Sequence, residues 1–164
     1  MAETTMPELT LAPFTPEAFA PFGQAIVSPP AGGEALLHTL LGASREDASI
    51  CAKLDTHPAQ SLPFTAPKME RHEHSEQLFL PLGQARYVIA AALPQADGTP
   101  DLASLRGFVV EDGSGICYRR GVWHLPITIL DQPTTFLMMM QAVGDASIDT
   151  SWATLPVPVT VSGA

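Results

Sequence analysis

Two histidines stand two residues apart in Glu70-Arg71-His72-Glu73-His74-Ser75-Glu76-Gln77, with acids on both sides. A second segment, Tyr118-Arg119-Arg120-Gly121-Val122-Trp123-His124, offers another histidine just after a glycine turn. Alternate residues of a strand share a face, so an extended 70–76 puts Glu70, His72, His74 and Glu76 on one side and Arg71, Glu73, Ser75 and Gln77 on the other. Burying four such groups is costly unless something binds them. Imidazole and carboxylate donors suit zinc, nickel, iron or manganese. His72 and His74, an acid or amide at Glu76 or Gln77, and His124 from a second strand form a candidate site with open positions, which is what catalysis requires. A bulge would exchange the faces, so the sequence leaves both His74 and Gln77 open as ligands. Glu73 reads as surface, His38 and His57 as structural or exposed, and Trp123 as a pocket wall or core residue.

Those side chains need a scaffold of turns and short strands. The chain has 164 residues, the length of one domain over 1–164, and is 46% hydrophobic with 16 prolines and 12 glycines. This composition argues against a bundle of long helices. Residues 1–13 read as a loose arm. Thr15 caps a short helix with Pro16 in its first turn and Gly23 as its stop. Short strands are expected over 24–28, 49–54, 69–81, 86–93, 107–111, 116–119, 127–130, 135–141 and 157–161. A proline-rich connection spans 58–67, a hairpin turn lies at Gly83-Gln84, and a short capped helix spans 101–105. Met138-Met139-Met140 reads as core. The pattern is all-β, a sandwich or a closed jelly-roll barrel whose mouth lies where the two histidine segments meet.

Charge narrows the partners. Seventeen acids against eight bases give a net charge of −9, which repels a phosphate backbone and excludes nucleic acid as the expected partner. Arg71, Arg119 and Arg120 cluster in the two motif segments, either as a positive spot for a small carboxylate or to neutralise neighbouring acids. Charged residues make up only 15% of the chain, against roughly 25% in a typical soluble domain, so part of the surface is expected to lie in an oligomer interface. Cys51 and Cys117 lack CxxC spacing and read as reduced core residues. No apolar run approaches the ~18 residues of a membrane span. A cytoplasmic protein without a membrane partner is expected.

Glu70-Arg71-His72, Gln77, Phe79 and Pro81 resemble the central signature of the ureidoglycolate lyases. So do Pro100-Asp101-Leu102, Leu105-Arg106, Phe108, Gly115, Tyr118, Arg120 and Val122-Trp123-His124 with Pro126, and the earlier Glu17-Ala18-Phe19 through Gly23. The resemblance runs from about residue 14 to 144. It implies a cupin-type double-stranded β-helix (a jelly-roll barrel) with a few short helices, a homodimer, and cleavage of ureidoglycolate to glyoxylate and urea in allantoin breakdown. It also implies a divalent metal, nickel or zinc, and no organic cofactor. On this reading His72, His74, Glu76 and His124 hold the metal. Glu70, His124 and Tyr118 are catalytic, and Arg120, Gln77, Trp123 and His38 bind the carboxylate substrate. The chain departs from the family pattern in carrying Arg119 and Leu125 where histidines are usual, Met140-Gln141 in place of an Asp-Arg pair, and no arginine near Thr56. The alternatives are a non-catalytic cupin that binds a small carboxylate, and another metal-dependent enzyme such as an isomerase or a dioxygenase.

Overall fold

Alternating and wholly apolar runs sort this chain into strands with one or both faces buried. A computed structural model describes residues 7–42, 44–144 and 147–163. Its strands, in chain order, are β1 (Glu8–Pro13), β2 (Gly23–Ile26), β3 (Ser49–His57), β4 (Phe64–His72), β5 (Gln77–Pro81), β6 (Arg86–Ala92), β7 (Arg106–Val110), β8 (Gly115–Tyr118), β9 (Trp123–His124), β10 (Thr128–Leu130), β11 (Thr134–Ala142) and β12 (Thr150–Ser162). Helix α1 (Pro16–Phe19) is capped by the Thr15 hydroxyl, which accepts from the Ala18 N–H. Short 3₁₀ turns lie at Leu37–Leu40, Leu102–Ser104 and Ser147–Asp149. None of the helices described is long and apolar enough to cross a membrane.

Two sheets carry the architecture. In the larger, the order β6-β7-β1-β12-β4-β9 closes on itself because β9 pairs back to β6, and β10 continues along the same side of β6. The smaller runs β2-β8-β5-β11-β3. Strand β6 explains how they pack. Its Val88, Ala90 and Ala92 face the inside of the closed ring with Met69, Trp123 and Val161. Its Tyr87, Ile89 and Ala91 face the smaller sheet with Phe79, Ile116, Phe136 and Met138. Burial on both faces is why Tyr87–Ala92 reads as an unbroken apolar run. This is an all-β barrel with few and short helices.

Several expectations are corrected. Residues 8–13 of the supposed loose arm are strand β1, parallel to β12 and β7, with Leu11 in the ring core; residues 1–6 lie outside those described. The proline-rich connection ends early, since β4 starts at Phe64 and runs through Pro67, opposite a register shift in β12. The apolar runs either side of Gly83 do not form a hairpin, because β5 lies in the smaller sheet and β6 in the larger. The expected strand over 69–81 is broken after His72, and pairing resumes at Ser75 and Gln77.

Candidate active site

Pairing between β4 and β9 creates the centre of the site. Glu70 and His124 are direct cross-strand partners, so their side chains rise side by side from one face. His72, two residues beyond Glu70, shares that face. The outcome is a cluster in which Glu70, His72 and His124 each bring a ligand atom within 4.8 Å of the others. The glycine turn before β9 makes this approach possible: Gly121 has φ +81°, a conformation that side chains with a Cβ rarely adopt, and its N–H donates to the His72 carbonyl at 2.8 Å.

The cluster opens into a cavity of about 300 Å³ between the sheets. Lys53, Asp55 and His57 of β3, Gln77 and Phe79 of β5, and Met138 and Met140 of β11 also line it. His124 is 2% and His72 5% exposed. The His124 Nδ1 lies 3.2 Å from the Val122 carbonyl, an acceptor only, and the His72 Nδ1 lies 3.3 Å from the Thr150 hydroxyl. With its Nδ1 turned to the Val122 carbonyl, His124 turns its Nε2 toward Glu70, the orientation in which a histidine can offer that nitrogen to a metal. The Nε2 atoms of His72 and His124 and the Gln77 Oε1 are buried without a hydrogen-bond partner. His124 Nε2 lies 3.5 Å from Glu70 Oε1, a close approach without hydrogen-bond alignment. Burial, then the neighbouring His124, pushes His72 down to about 4, so it is the neutral, lone-pair form at neutral pH. Burial pushes the Glu70 carboxyl up, but the nearby imidazoles of His124 and then His72 outweigh it and hold Glu70 below the usual carboxylate range. Two imidazole nitrogens and an amide oxygen left unsatisfied beside an ionised carboxylate fit a divalent cation.

Of the residues expected from sequence, Glu70, His72 and Gln77 line the cavity, His124 joins them through its approach to Glu70 and His72, and the others lie elsewhere. After His72 the chain bends, so Gln77 rather than His74 comes in beside His72. His74 Nδ1 lies 2.9 Å from the Ser44 hydroxyl, and Glu76 accepts from the Gly42 N–H at 2.7 Å. These two are therefore not in the metal cluster. Arg120 is exposed, with its Nε 3.9 Å from Glu76. Trp123 faces the ring core, where its Nε1 donates to the Gly98 carbonyl and Arg71 stacks on its ring. His38 is exposed on its 3₁₀ turn. Tyr118 does not line the cavity. It is stacked behind His124, ring centroids 4.1 Å apart and planes within 9°.

The three motif arginines serve the scaffold. Arg71 pairs with Glu73 and donates to the Gly98 carbonyl. Arg119 donates to the Ala20 and Pro21 carbonyls. Sequence reading missed the contribution of β3. The signal available was the alternation that puts Cys51, Lys53, Asp55 and His57 on one face of an extended 49–57; Cys51, Asp55 and His57 are half-buried there and Lys53 is exposed.

A β-barrel whose cleft gathers two histidines and an ionised carboxylate around unsatisfied donor atoms defines the class: a barrel of enzyme type with a candidate metal centre. The family model for ureidoglycolate lyase matches residues 6–162, and the chain belongs to that family. A ureidoglycolate lyase of Pseudomonas fluorescens is 35% identical over 144 residues, covering 82% of this chain and 84% of that protein. One of Rhizobium etli is 32% identical, covering 82% and 85%, and one of Escherichia coli is 29% identical, covering 84% and 90%. The solved structure of RmlC from Streptococcus suis in complex with dTDP-D-xylose aligns at TM-score 0.44 and 7% identity, over 63% of this chain and 50% of that one.

Proposed function

We propose that this protein cleaves ureidoglycolate to glyoxylate and urea at the Glu70–His72–His124 cluster, as a step of allantoin breakdown. The observation that carries the reading is the convergence of two unpartnered imidazole nitrogens with an ionised carboxylate in a chain of the ureidoglycolate lyase family. The substrate carries a hydroxyl and a urea nitrogen on one carbon, next to a carboxylate. Cleavage removes the hydroxyl proton, forms the aldehyde C=O, breaks the C–N bond and places a proton on the departing nitrogen. Glu70, held ionised, accepts the hydroxyl proton and returns it to the nitrogen, so protons balance with one group. His72, His124 and Glu70 would hold a nickel or zinc ion, with Gln77 beside them. When bound, the ion would supply Lewis acidity toward the substrate's hydroxyl oxygen. Phe79, Met138 and Met140 keep the reacting carbon among apolar walls, which strengthens each electrostatic contact.

A homodimer in the cytoplasm completes the proposal. The dimer is supported by exposed Ile50 and Leu54 on β3, the edge strand of the smaller sheet. The compartment is supported by the free thiols of Cys51 and Cys117. Met140, in the cavity wall where the family pattern has an acid, favours a second reading: a relative that binds small carboxylates without turnover. The test is release of urea and glyoxylate in equal amounts from ureidoglycolate by nickel-loaded protein, lost on chelation and regained on adding metal. Ligand-induced thermal stabilisation without product would favour the second reading.

A further inference from the structure

The carboxylate of the substrate needs a positive partner, and the motif arginines expected to supply it lie outside the cavity. The chain has eight lysines and arginines. Arg45, Arg71, Arg86 and Arg120 face Asp149, Glu73, Asp131 and Glu76. Arg106 and Arg119 donate to loop carbonyls, and Lys68 lies over the Trp152 ring. The remaining one, Lys53, lines the cavity. It stands on β3 opposite Met138 of β11, and its ammonium is 2.9 Å from Asp55 Oδ2, itself a cavity residue.

We infer that Lys53 is the residue that binds the substrate carboxylate, with Asp55 orienting its ammonium at the mouth of the cleft. The argument is one of sign. Glu70 and Asp55 both present negative charge to the cavity, in a protein of net charge −9, so an anion entering near them is repelled unless a cation meets it. Lys53 and Glu70 line the same cavity. A long stem at the rim lets the ammonium meet a carboxylate while the hydroxyl and urea end lie deeper, toward Glu70 and His124. Asp55 has a second oxygen to accept a ureido N–H, so one ion pair reads both ends of the ligand's polarity. The lyase reading supplies the natural ligand on which this inference rests.

The test compares wild type, Lys53→Met and Lys53→Arg, each loaded with nickel and checked for an unchanged melting temperature. Glycolate and its neutral amide, glycolamide, are titrated by calorimetry, and urea release from ureidoglycolate is followed. Lys53→Met is expected to weaken glycolate binding and raise KM on the order of tenfold or more, to change glycolamide binding little, and to be rescued in part by arginine. Unchanged glycolate affinity and KM in Lys53→Met overturn the inference. So does wild-type binding of glycolate no tighter than of glycolamide. Urea release with a KM indifferent to Lys53 refutes this assignment and leaves the lyase reading standing. Lysine-dependent glycolate binding without urea release does the reverse.

Discussion

Which nitrogen each imidazole turns toward the cleft is decided by what sits behind it. Val122 takes one nitrogen of His124, Thr150 faces one nitrogen of His72, and the opposite nitrogens are left bare and buried. Tyr118 belongs to the same support. Its ring stacks on His124, and burial, then the charges of Tyr87 and Glu70, keep its phenol protonated well above the ordinary range. Its hydroxyl is buried without a partner. Tyr118→Phe should therefore keep nickel affinity within about twofold and leave stability unchanged or higher, because a buried unpaired hydroxyl costs roughly 1–3 kcal/mol. Tyr118→Leu loses the stacked ring and should weaken nickel binding by about 10-fold or more, as loss of the groups that orient a ligand does. Calorimetric nickel titration of both variants checks this; equal loss in the two would contradict a stacking role and point to the hydroxyl.

At the level of elements, the sequence showed which segments meet but not how each is turned. The pairing of the two histidine segments was legible from His72, His124 and the intervening glycine. The make-up of the cluster was not, because a single bend after His72 reverses the alternation that placed His74 and Glu76 on the same face as Glu70. Local pattern cannot register such a bend, since Glu73, His74 and Ser75 are as polar in a strand as in a turn. Strand β3 was half seen: Lys53, Asp55 and His57 matter only because β11 pairs with β3 along its length, a contact about eighty residues away in sequence. The β5–β6 segment looked like a hairpin because an apolar run reads alike in either sheet. The turn at Gly121 is the element on which the site's assembly depends. Gly121→Ala forces a Cβ into the left-handed region, costing about 1–2 kcal/mol. The denaturation midpoint should fall accordingly, and nickel affinity should fall with it as β9 shifts. A stability loss with unchanged metal affinity would show that β9 is positioned by its pairing alone.

The whole molecule is a ring of six strands with a five-stranded sheet laid on one side, and the site lies where the two can no longer touch. The outer face of β3 leaves Leu54 64% and Ile50 46% exposed, on a strand that offers an unpaired edge. Light scattering should give twice the 17.4 kDa chain mass for wild type and a shift toward the single-chain mass for Leu54→Glu; a monomeric wild type would contradict the dimer. The central claim concerns chemistry between the sheets. It is tested most directly by the rate of urea release from ureidoglycolate, measured on nickel-loaded wild type beside a folded His72→Ala/His124→Ala double variant. The account predicts steady turnover by wild type and a loss of at least about 100-fold in the variant, as expected when both imidazoles proposed to hold the ion are removed. No urea from the wild type, or equal rates from the two, would contradict it.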